Sequence, residues 1–360
     1  MIVVIAATAF DFTNGFHDTA NVVASSISTR ALAPRTAITL VSLLNFVGAF
    51  ISLKVAATIA TGIIDAAQVT ETIAFAGLVG AIAWNLITWA YGLPSSSSHA
   101  LIGGVIGAML AAVGTGGVKF SGLATKVVIP AVVAPVVAFA AAGCVIVLIY
   151  RLLGRRNPGR VTRGFRVGQI VSNSALALAH GTNDAQKTMG IITLALVAHG
   201  SLSPHHATVP TWVVILSATA ISLGTYAGGW RIIRTVGSRI IRMDSAQAFS
   251  AQASGAVVIL VSSHLGYPLS STHVISGGVM GAGAAKRLSA VRWGVAGSIV
   301  AAWVITLPTA GLFGAGAYAV ASAFGNGALG PLIIAVVVIG GPLSMTLATR
   351  RRRVTRAASA

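Results

Sequence analysis

The stretch NGFHDTAN at residues 14–21 decides the fold, because it returns in altered form as HGTNDAQK at residues 180–187. Asp18 of the first copy aligns with Asp184 of the second. Both copies lie inside long apolar stretches, where a carboxylate is costly and generally marks a functional site. An aspartate that merely caps one half of a broken helix is the structural alternative, and the duplication of the motif argues against it.

The composition around these motifs is that of a membrane protein. The chain of 360 residues is 55% hydrophobic and only 8% charged, and its mean hydropathy is +0.87. Soluble domains carry about 25% charged residues. Apolar runs of about 20 residues, the length of a transmembrane helix, recur along the chain. We therefore predict an all-α polytopic membrane protein, and we exclude an ordinary soluble domain. The single Cys144 allows no disulfide within the chain.

Hydropathy divides the chain into two halves with the same order of apolar runs. We predict a first repeat at residues 1–150, a basic cytoplasmic linker at 151–166 and a second repeat at 167–322. An extra C-terminal span and a basic tail would occupy residues 323–360. Each repeat has an odd number of crossings, so the second would sit upside down relative to the first. Inverted repeats are typical of secondary transporters, which bind their substrate near the membrane midplane.

The first apolar run of each repeat is expected to be broken at its aspartate motif. The predicted interruptions lie at Asp11–Asp18 in the first copy and at Gly181–Asp184 in the second. Broken or re-entrant helices line the binding sites of many secondary transporters. Counting every run, we expect about 10–12 spans in total.

The basic residues sort to one side of this layout. If residue 1 lies outside and every run crosses once, all but four of the 24 lysines and arginines fall in inside loops, the linker or the tail. Cytoplasmic loops carry an excess of such residues. The sorting predicts an outside N-terminus and a cytoplasmic C-terminus in the plasma membrane. The net charge of +18 then reflects topology and attraction to membrane lipid, and nucleic acid is not an expected partner.

A second duplicated motif opens two later apolar runs. GLPSSSSHALIGG at residues 92–104 matches GYPLSSTHVISGG at residues 266–278. Proline suits the start of a helix, and serine or threonine caps it. Free N–H groups and the dipole at a helix start favour anions, and an inverted repeat would direct both starts at one anion. Serine-rich turns that only cap buried helices, with glycines for close helix packing, are the structural alternative.

These motifs supply the candidate site residues. The predicted anion-binding groups are the hydroxyls of Ser96, Ser97, Ser98, Ser270, Ser271 and Thr272. Ionised aspartates repel an anion, so Asp18 and Asp184 are predicted to bind Na⁺ or to carry H⁺, with Asn14 and His17 beside them.

For several basic side chains near the motifs, the sequence does not decide between two roles. Lys187 could attract the anion or neutralise Asp184. His180 is a further candidate for proton relay. His99 and His273 could donate to the anion or could lock the turn, because buried polar groups need partners in either case. No cofactor is expected beyond the coupling cation, and no metal site is certain.

Together the four motifs resemble those of the inorganic phosphate transporter (PiT) family. Residues 15–21 and 181–187 look like its twin signatures, and residues 94–99 and 268–273 are similar to its Ser/Thr-rich re-entrant segments. The resemblance covers nearly the whole chain. It implies a symporter, not an enzyme, that imports inorganic phosphate with H⁺ or Na⁺ and forms a homodimer.

The resemblance also implies roles for residues beside the aspartates. Asn21 and Asn183 would take part in binding phosphate or its ion. His17 stands where many members have asparagine, and it resembles the bacterial branch, which the family associates with proton coupling and neutral metal–phosphate complexes.

Other functions remain open from the sequence. A related branch of the family carries sulfate, so sulfate or a metal–phosphate complex is the alternative cargo. A passive anion channel would use the same helix dipoles. An intramembrane hydrolase is disfavoured because the chain has neither a His-Glu-x-x-His nor a Gly-x-Ser-x-Gly motif.

Overall fold

The computed structural model describes residues 1–203 and 208–324, and these residues are almost entirely helical. Within them, one isolated bridge between Ile64 and Val118 is the only β-type pairing. The all-α prediction is therefore confirmed. The predicted last span and tail fall outside the described residues from residue 325 onward.

The helices follow one another in two sets. The first set is α1 (Ile2–Ser28), α2 (Pro34–Gly48), α3 (Lys54–Thr61), α4 (Glu71–Tyr91), α5 (Ser97–Val113), α6 (Phe120–Leu123) and α7 (Ile129–Leu153). The second set is α8 (Pro158–Ala198), α9 (Thr211–Ala227), α10 (Trp230–Arg234), α11 (Ser245–His264), α12 (Ser271–Ala284) and α13 (Trp293–Ala323). Both sets order their long helices alike, which supports the predicted repeats; the repeat boundaries themselves stay a prediction.

The two aspartate helices are continuous, so the interruptions predicted at Asp11–Asp18 and Gly181–Asp184 are wrong. Neither stretch contains proline, and a glycine inside a helix costs only about 1 kcal/mol. The glycines serve packing instead. A Cβ on Gly15 would overlap the backbone of α9, and a Cβ on Gly181 would overlap the backbone of α2.

The described residues contain one helix pair bent at a short break, and it lies in the second set. The chain leaves the helix between the end of α2 and the start of α3, and again between α9 and α10 at Gly228 and Gly229. The second break bends residues 211–227 by 59° from residues 230–239. Gly228 has a φ of +73°, which side-chain-bearing residues rarely adopt. The prediction of broken helices is therefore confirmed, at positions other than the motifs.

The basic segment at residues 151–166 is mostly helical rather than an extended linker. Only residues 154–157 between α7 and α8 are non-helical. The side chain of Asn157 caps α8 by accepting hydrogen bonds from the backbone N–H groups of Gly159 (3.0 Å) and Arg160 (3.4 Å). Pro158 occupies the first helical position, where its missing N–H costs nothing.

Helices of each set pack against helices of the other set. The aspartate helices α1 and α8 contact each other, α1 also packs on α9, and α8 packs on α2. The last helix of each set crosses to the other set: α7 packs on α11 and α12, and α13 packs on α4 and α5. Such reciprocal contacts are expected of two related halves, and they place α1, α5, α8 and α12 at the centre.

Within residues 1–203 and 208–324, five helical segments are long and apolar enough to cross a membrane, or six if the bent pair is counted as one span. α7 and α13 direct large apolar side chains outward, among them Val132, Val136, Val304 and Leu312. Outward apolar faces suit lipid. The chain is thus a multi-pass membrane protein. The expected total of about 10–12 spans includes shorter and more polar helices, and it stays a prediction.

Candidate functional site

The two signature aspartates meet in the centre of the molecule. Asp18 lies in the middle of α1 and Asp184 in the middle of α8, and both are buried. Together with His180 they offer ligand atoms that all lie within 4.8 Å of one another. Two carboxylates this close repel each other unless a cation or a proton lies near them. We call Asp18, His180, Asp184 and Lys187 the central cluster.

Asp184 has a basic partner on each side. Lys187, one turn further along α8 and fully buried, forms an ion pair with its Oδ1 atom. The Nε2 atom of His180 lies 2.8 Å from Oδ2, and Ser271 at the start of α12 donates to Oδ2 at 3.1 Å. In this structure Lys187 therefore neutralises Asp184, which is one of the two roles that the sequence left open.

Lys187 also connects Asp184 with the first Ser/Thr-rich motif. Its ammonium group donates to the hydroxyl of Ser98 and, at 2.8 Å, to the backbone carbonyl of Leu269. One buried cation thus contacts the starts of both α5 and α12.

Asp18 has hydroxyl, amide and imidazole groups as its hydrogen-bonding neighbours, where Asp184 has a lysine. Its Oδ1 accepts hydrogen bonds from Thr272 (3.2 Å) and from Asn21 (3.4 Å), and it lies 2.9 Å from the Nδ1 atom of His17. No lysine or arginine within the described ranges pairs with it. The two aspartates therefore differ in charge environment, although their motifs are duplicates.

His17 continues from Asp18 to a chain of hydroxyl groups. Its Nε2 lies 3.0 Å from Thr88 and 3.4 Å from Ser95, and Ser95 donates to Thr88 at 2.8 Å. Thr88 donates in turn to the backbone carbonyl of Trp84 at 2.9 Å. His17 therefore joins Asp18 to a buried set of hydroxyl groups, with donor and acceptor roles at its two nitrogens set by the tautomer.

The Ser/Thr-rich motifs begin two helices, as the sequence predicted. The hydroxyl of Ser96 caps α5 by accepting from the N–H of His99 (3.1 Å), and Ser270 caps α12 by accepting from the N–H of His273 (3.3 Å). The prolines stand before these caps rather than within the helices. Gly92 begins the first turn with a φ of +67°, which ends α4.

The residues after the caps face the central cluster. Ser98, Ser271 and Thr272 contact Lys187, Asp184 and Asp18 respectively, as described above. The hydroxyl of Ser97 lies 3.5 Å from Nδ1 of His17. Both helix starts, with their free N–H groups and partial positive charge, are thereby directed at one buried place.

Of the two asparagine candidates, one contacts the central cluster and the other points away from it. Asn21 contacts both Asp18 and, at 2.7 Å, Thr272. Asn183 instead donates to Ser263 (2.9 Å) and to the carbonyl of Tyr267 (3.2 Å).

His99 and His273 contact each other rather than the central cluster. Their rings lie edge to face with centroids 4.7 Å apart. The ring of His273 also stacks on Trp303 of α13 at 4.0 Å, and its Nδ1 lies 3.3 Å from the carbonyl oxygen of Ala131. These contacts fix α5, α12 and α13 relative to one another, so the positioning role is the one that the geometry favours.

Three polar residues near the site were not singled out as site residues in the sequence, although Ser95 lies in a quoted motif and Asp11 at the edge of the predicted interruption. Thr88 and Ser95 extend the hydrogen bonds of His17, and Asp11 lies two turns before Asp18 on α1. Only six acidic residues occur in the chain. Asp11 and Asp18 are seven residues apart, which places them on one helix face, and this spacing was the signal that could have identified Asp11.

Comparisons with known proteins single out phosphate transporters. The sequence model of the phosphate transporter family matches residues 14–314. A "Probable low-affinity inorganic phosphate transporter" of Mycobacterium tuberculosis (strain ATCC 25618 / H37Rv) is 55% identical over 318 residues, 88% of this chain and 76% of the relative. A protein of the same description from Bacillus subtilis (strain 168) is 44% identical over 321 residues, 88% of this chain and 96% of the relative.

One solved structure, described as "The sodium-dependent phosphate transporter", shares the fold with a TM-score of 0.79 at 26% sequence identity. The match covers 89% of this chain and 98% of that chain. The two chains therefore share their overall fold over most of their length.

Proposed function

The chain belongs to the phosphate transporter family, and we propose that it imports inorganic phosphate across the plasma membrane in symport with H⁺ or Na⁺. One observation carries this proposal: two duplicated carboxylates and two duplicated helix starts converge on one buried place. A carboxylate suits a cation, and a helix start suits an anion. A place that holds both can couple the two ions.

Phosphate would bind at the starts of α5 and α12. The donors there are free backbone N–H groups, the ammonium of Lys187, the amide of Asn21 and the hydroxyls of Ser97, Ser98, Ser271 and Thr272. Hydrogen bonds to a charged oxyanion are the strong kind. Ser96 and Ser270 would act indirectly, because their side chains cap the helices.

The aspartates would make phosphate binding depend on a cation. An ionised aspartate and a phosphate anion about 5 Å apart, at an effective dielectric constant of about 20, repel each other by about 3 kcal/mol. In the present arrangement Ser271 and Thr272 donate to the aspartates. A cation or proton on Asp18, which lacks the ion pair that Lys187 gives Asp184, would remove the repulsion and would free the hydroxyl of Thr272 to donate to phosphate.

A metal–phosphate complex is the second candidate cargo. Asp18, His180 and Asp184 offer two carboxylates and an imidazole within 4.8 Å of one another, a donor set that divalent metals accept. The metal would then travel as cargo together with phosphate. Sulfate stays an alternative anion, and a homodimer stays a prediction from the resemblance.

The test is uptake of radioactive phosphate into proteoliposomes that contain the purified protein. We expect accumulation above the phosphate gradient when either a sodium gradient or a pH gradient is imposed alone, and the effective gradient identifies the coupling ion. Uptake that never exceeds the electrochemical gradient of phosphate would favour a channel. Competition by excess sulfate, or a requirement for a divalent metal, would support the respective alternative.

Matched variants assign the effect to the site. Asp184→Asn should abolish accumulation, because it removes a carboxylate of the central cluster. Ser174→Ala is the control, since this serine lies on the same helix, and its hydroxyl bonds only to the backbone carbonyl of Ile170. Equal accumulation by both variants would contradict the proposed coupling role.

A further inference from the structure

A third buried carboxyl group lies on α1 outside the central cluster. Asp11 is fully buried and stands seven residues before Asp18, about 10 Å along the same helix. Its Oδ1 accepts a 2.6 Å hydrogen bond from Thr188 of α8. Its Oδ2 has no hydrogen-bond partner among the described residues.

Further polar atoms without partners surround this carboxyl group. Asn14 lies one turn along α1, and both atoms of its buried amide lack a hydrogen-bond partner within the described part of the chain. Ser217 of α9 directs its buried hydroxyl at the carboxyl of Asp11, but the two groups do not reach full hydrogen-bond geometry, and no other described residue pairs with this hydroxyl. Buried polar atoms almost always have partners, so their concentration here indicates a ligand.

The chemistry of this group restricts the ligand. Asp11, Asn14, Thr188 and Ser217 offer one carboxylate, one amide oxygen and two hydroxyls, which are oxygen ligands of the kind that hard cations prefer. A single carboxylate balances one positive charge. The charged groups in range are Asp184 and Lys187 of α8, which already neutralise each other, and α9 carries no charged residue.

We propose that Asp11, Asn14, Thr188 and Ser217 form a second cation site that takes one monovalent ion, Na⁺ or H⁺. The site lies on the side of the central cluster toward the start of α1, which the predicted topology places outside. Thr188 is one turn from Asp184, so an ion at Asp11 is one helical turn from the central cluster. Ala177 stands at the aligned position of α8, so the second repeat has no counterpart of this site.

The role of this ion in coupling rests on the proposed function, whereas its binding does not. The experiment is therefore equilibrium binding of radioactive Na⁺ to purified protein without phosphate. Asp11→Asn keeps the size of the side chain and an acceptor for Thr188. Ser254→Ala is the control, because it removes a buried, likewise unpartnered hydroxyl from α11. We expect Asp11→Asn to bind one Na⁺ fewer per chain and Ser254→Ala to match the parent.

If the site at Asp11 binds H⁺ instead of Na⁺, a separate measurement detects it. If Asp11→Asn binds as much Na⁺ as the parent, we expect the parent to show an infrared carbonyl band of a protonated carboxylic acid that Asp11→Asn lacks. This band should disappear reversibly as the pH is raised. Unchanged Na⁺ binding with no such band, or with a band that never titrates, would overturn the proposal.

A milder variant covers the case in which Asp11→Asn does not fold. Ser217→Ala removes one ligand and leaves the Asp11–Thr188 hydrogen bond in place. We expect it to weaken Na⁺ binding several-fold, or to shift the pH midpoint of the carboxyl band. Parent-like behaviour in both measurements would contradict the site. Phosphate uptake by the same preparations reports separately on the proposed function.

Discussion

Lys187 is the residue that makes the two halves of the central cluster unequal. Its counterpart in the first motif is Asn21, so one aspartate has a fixed positive neighbour and the other has only neutral donors. Asp184 is therefore already compensated, whereas Asp18 needs an ion. We infer that Asp18 is the carboxylate at which the coupling cation is gained and lost.

The ion pair between Asp184 and Lys187 predicts that removing only the lysine lowers stability and that removing both charges restores it. Lys187→Met leaves the buried Asp184 without its ion-pair partner, and breaking such a pair costs about 3–5 kcal/mol. We expect a correspondingly lower melting temperature in detergent. The double variant Asp184→Asn/Lys187→Met should recover most of the loss, because no uncompensated charge remains. A single variant as stable as the parent would contradict the ion pair.

A second prediction concerns transport by Asp18→Asn. Asparagine still accepts from Thr272 but carries no charge, so the cation loses an interaction of about 3 kcal/mol, roughly 100-fold in affinity. We expect the initial rate of gradient-driven phosphate uptake, measured at a low concentration of the cation, to fall by about this factor. Exchange of phosphate for phosphate, which needs no net cation movement, should fall less. An equal loss in both assays would indicate that Asp18 binds phosphate itself.

Because the aspartate and Ser/Thr-rich motifs each occur twice, most of this site could be predicted from the sequence. The motifs predicted that Asp18, Asp184 and the Ser/Thr-rich turns converge, and the structure places them together. The role of Asn183 in phosphate binding stays a prediction, and in this structure its side chain points around the helix toward Ser263. The sequence alone also could not show which of its two roles Lys187 takes.

At the level of elements, glycines set how closely the crossed helices approach. A Cβ on Gly107 of α5 would overlap the carbonyl oxygen of Gly311 of α13, and a Cβ on Gly281 of α12 would overlap that of Phe139 of α7. The paired glycines after each Ser/Thr-rich helix start are placed as tightly, because a Cβ on Gly103 would overlap the carbonyl oxygen of Leu307 in α13, and one on Gly277 would overlap that of Pro135 in α7.

The packing role predicts the effect of adding one methyl group. Gly107→Ala should destabilise the protein by about 1–3 kcal/mol, the usual cost of overpacking, since the overlapping atoms belong to backbone. Gly297→Ala in α13 is the matched control, because nothing lies within 4 Å of its added Cβ. The control should be unchanged or stabilised by up to about 1 kcal/mol. Thermal unfolding of both variants measures the difference.

The helix caps give a prediction of a different kind. Ser96→Ala and Ser270→Ala each remove a hydroxyl that caps a helix start, at a cost of about 1 kcal/mol. Ser98→Ala removes a contact of Lys187 instead. We expect the cap variants to lower thermal stability more than phosphate affinity, and Ser98→Ala to do the reverse. The measurements are thermal unfolding and the concentration dependence of phosphate uptake.

The positions of the helices were easier to predict than their breaks and partners. Hydropathy located the apolar runs, and the serine-rich turns located the starts of α5 and α12. The aspartate motifs were wrongly predicted as breaks, because glycine and polar residues in a sequence do not distinguish a broken helix from a tightly packed one. The crossing of α7 and α13 arises from long-range packing, which no local pattern encodes.

For the whole molecule, the distribution of basic residues predicts orientation. Arg155 lies between α7 and α8 in the segment predicted as cytoplasmic, and Ser201 follows α8 on the predicted outside. In a Cys144→Ser background, Ser201→Cys should react with an impermeant thiol reagent added to intact cells. Arg155→Cys should react only after the membrane is opened. The reverse pattern would invert the topology.

The crossing of α7 and α13 also has a consequence for how the chain is made. When α7 leaves the ribosome, its partners α11 and α12 do not yet exist, and at the usual rate of synthesis they follow after roughly 5–25 s. During that interval α7 lacks the two helices that cover it in the structure, and it belongs to the most apolar candidate span of the described residues. α13 emerges when α4 and α5 are already in place, and it is less apolar. The order of synthesis thus explains why α7, rather than the equivalent helix α13, has to be stable in the bilayer on its own.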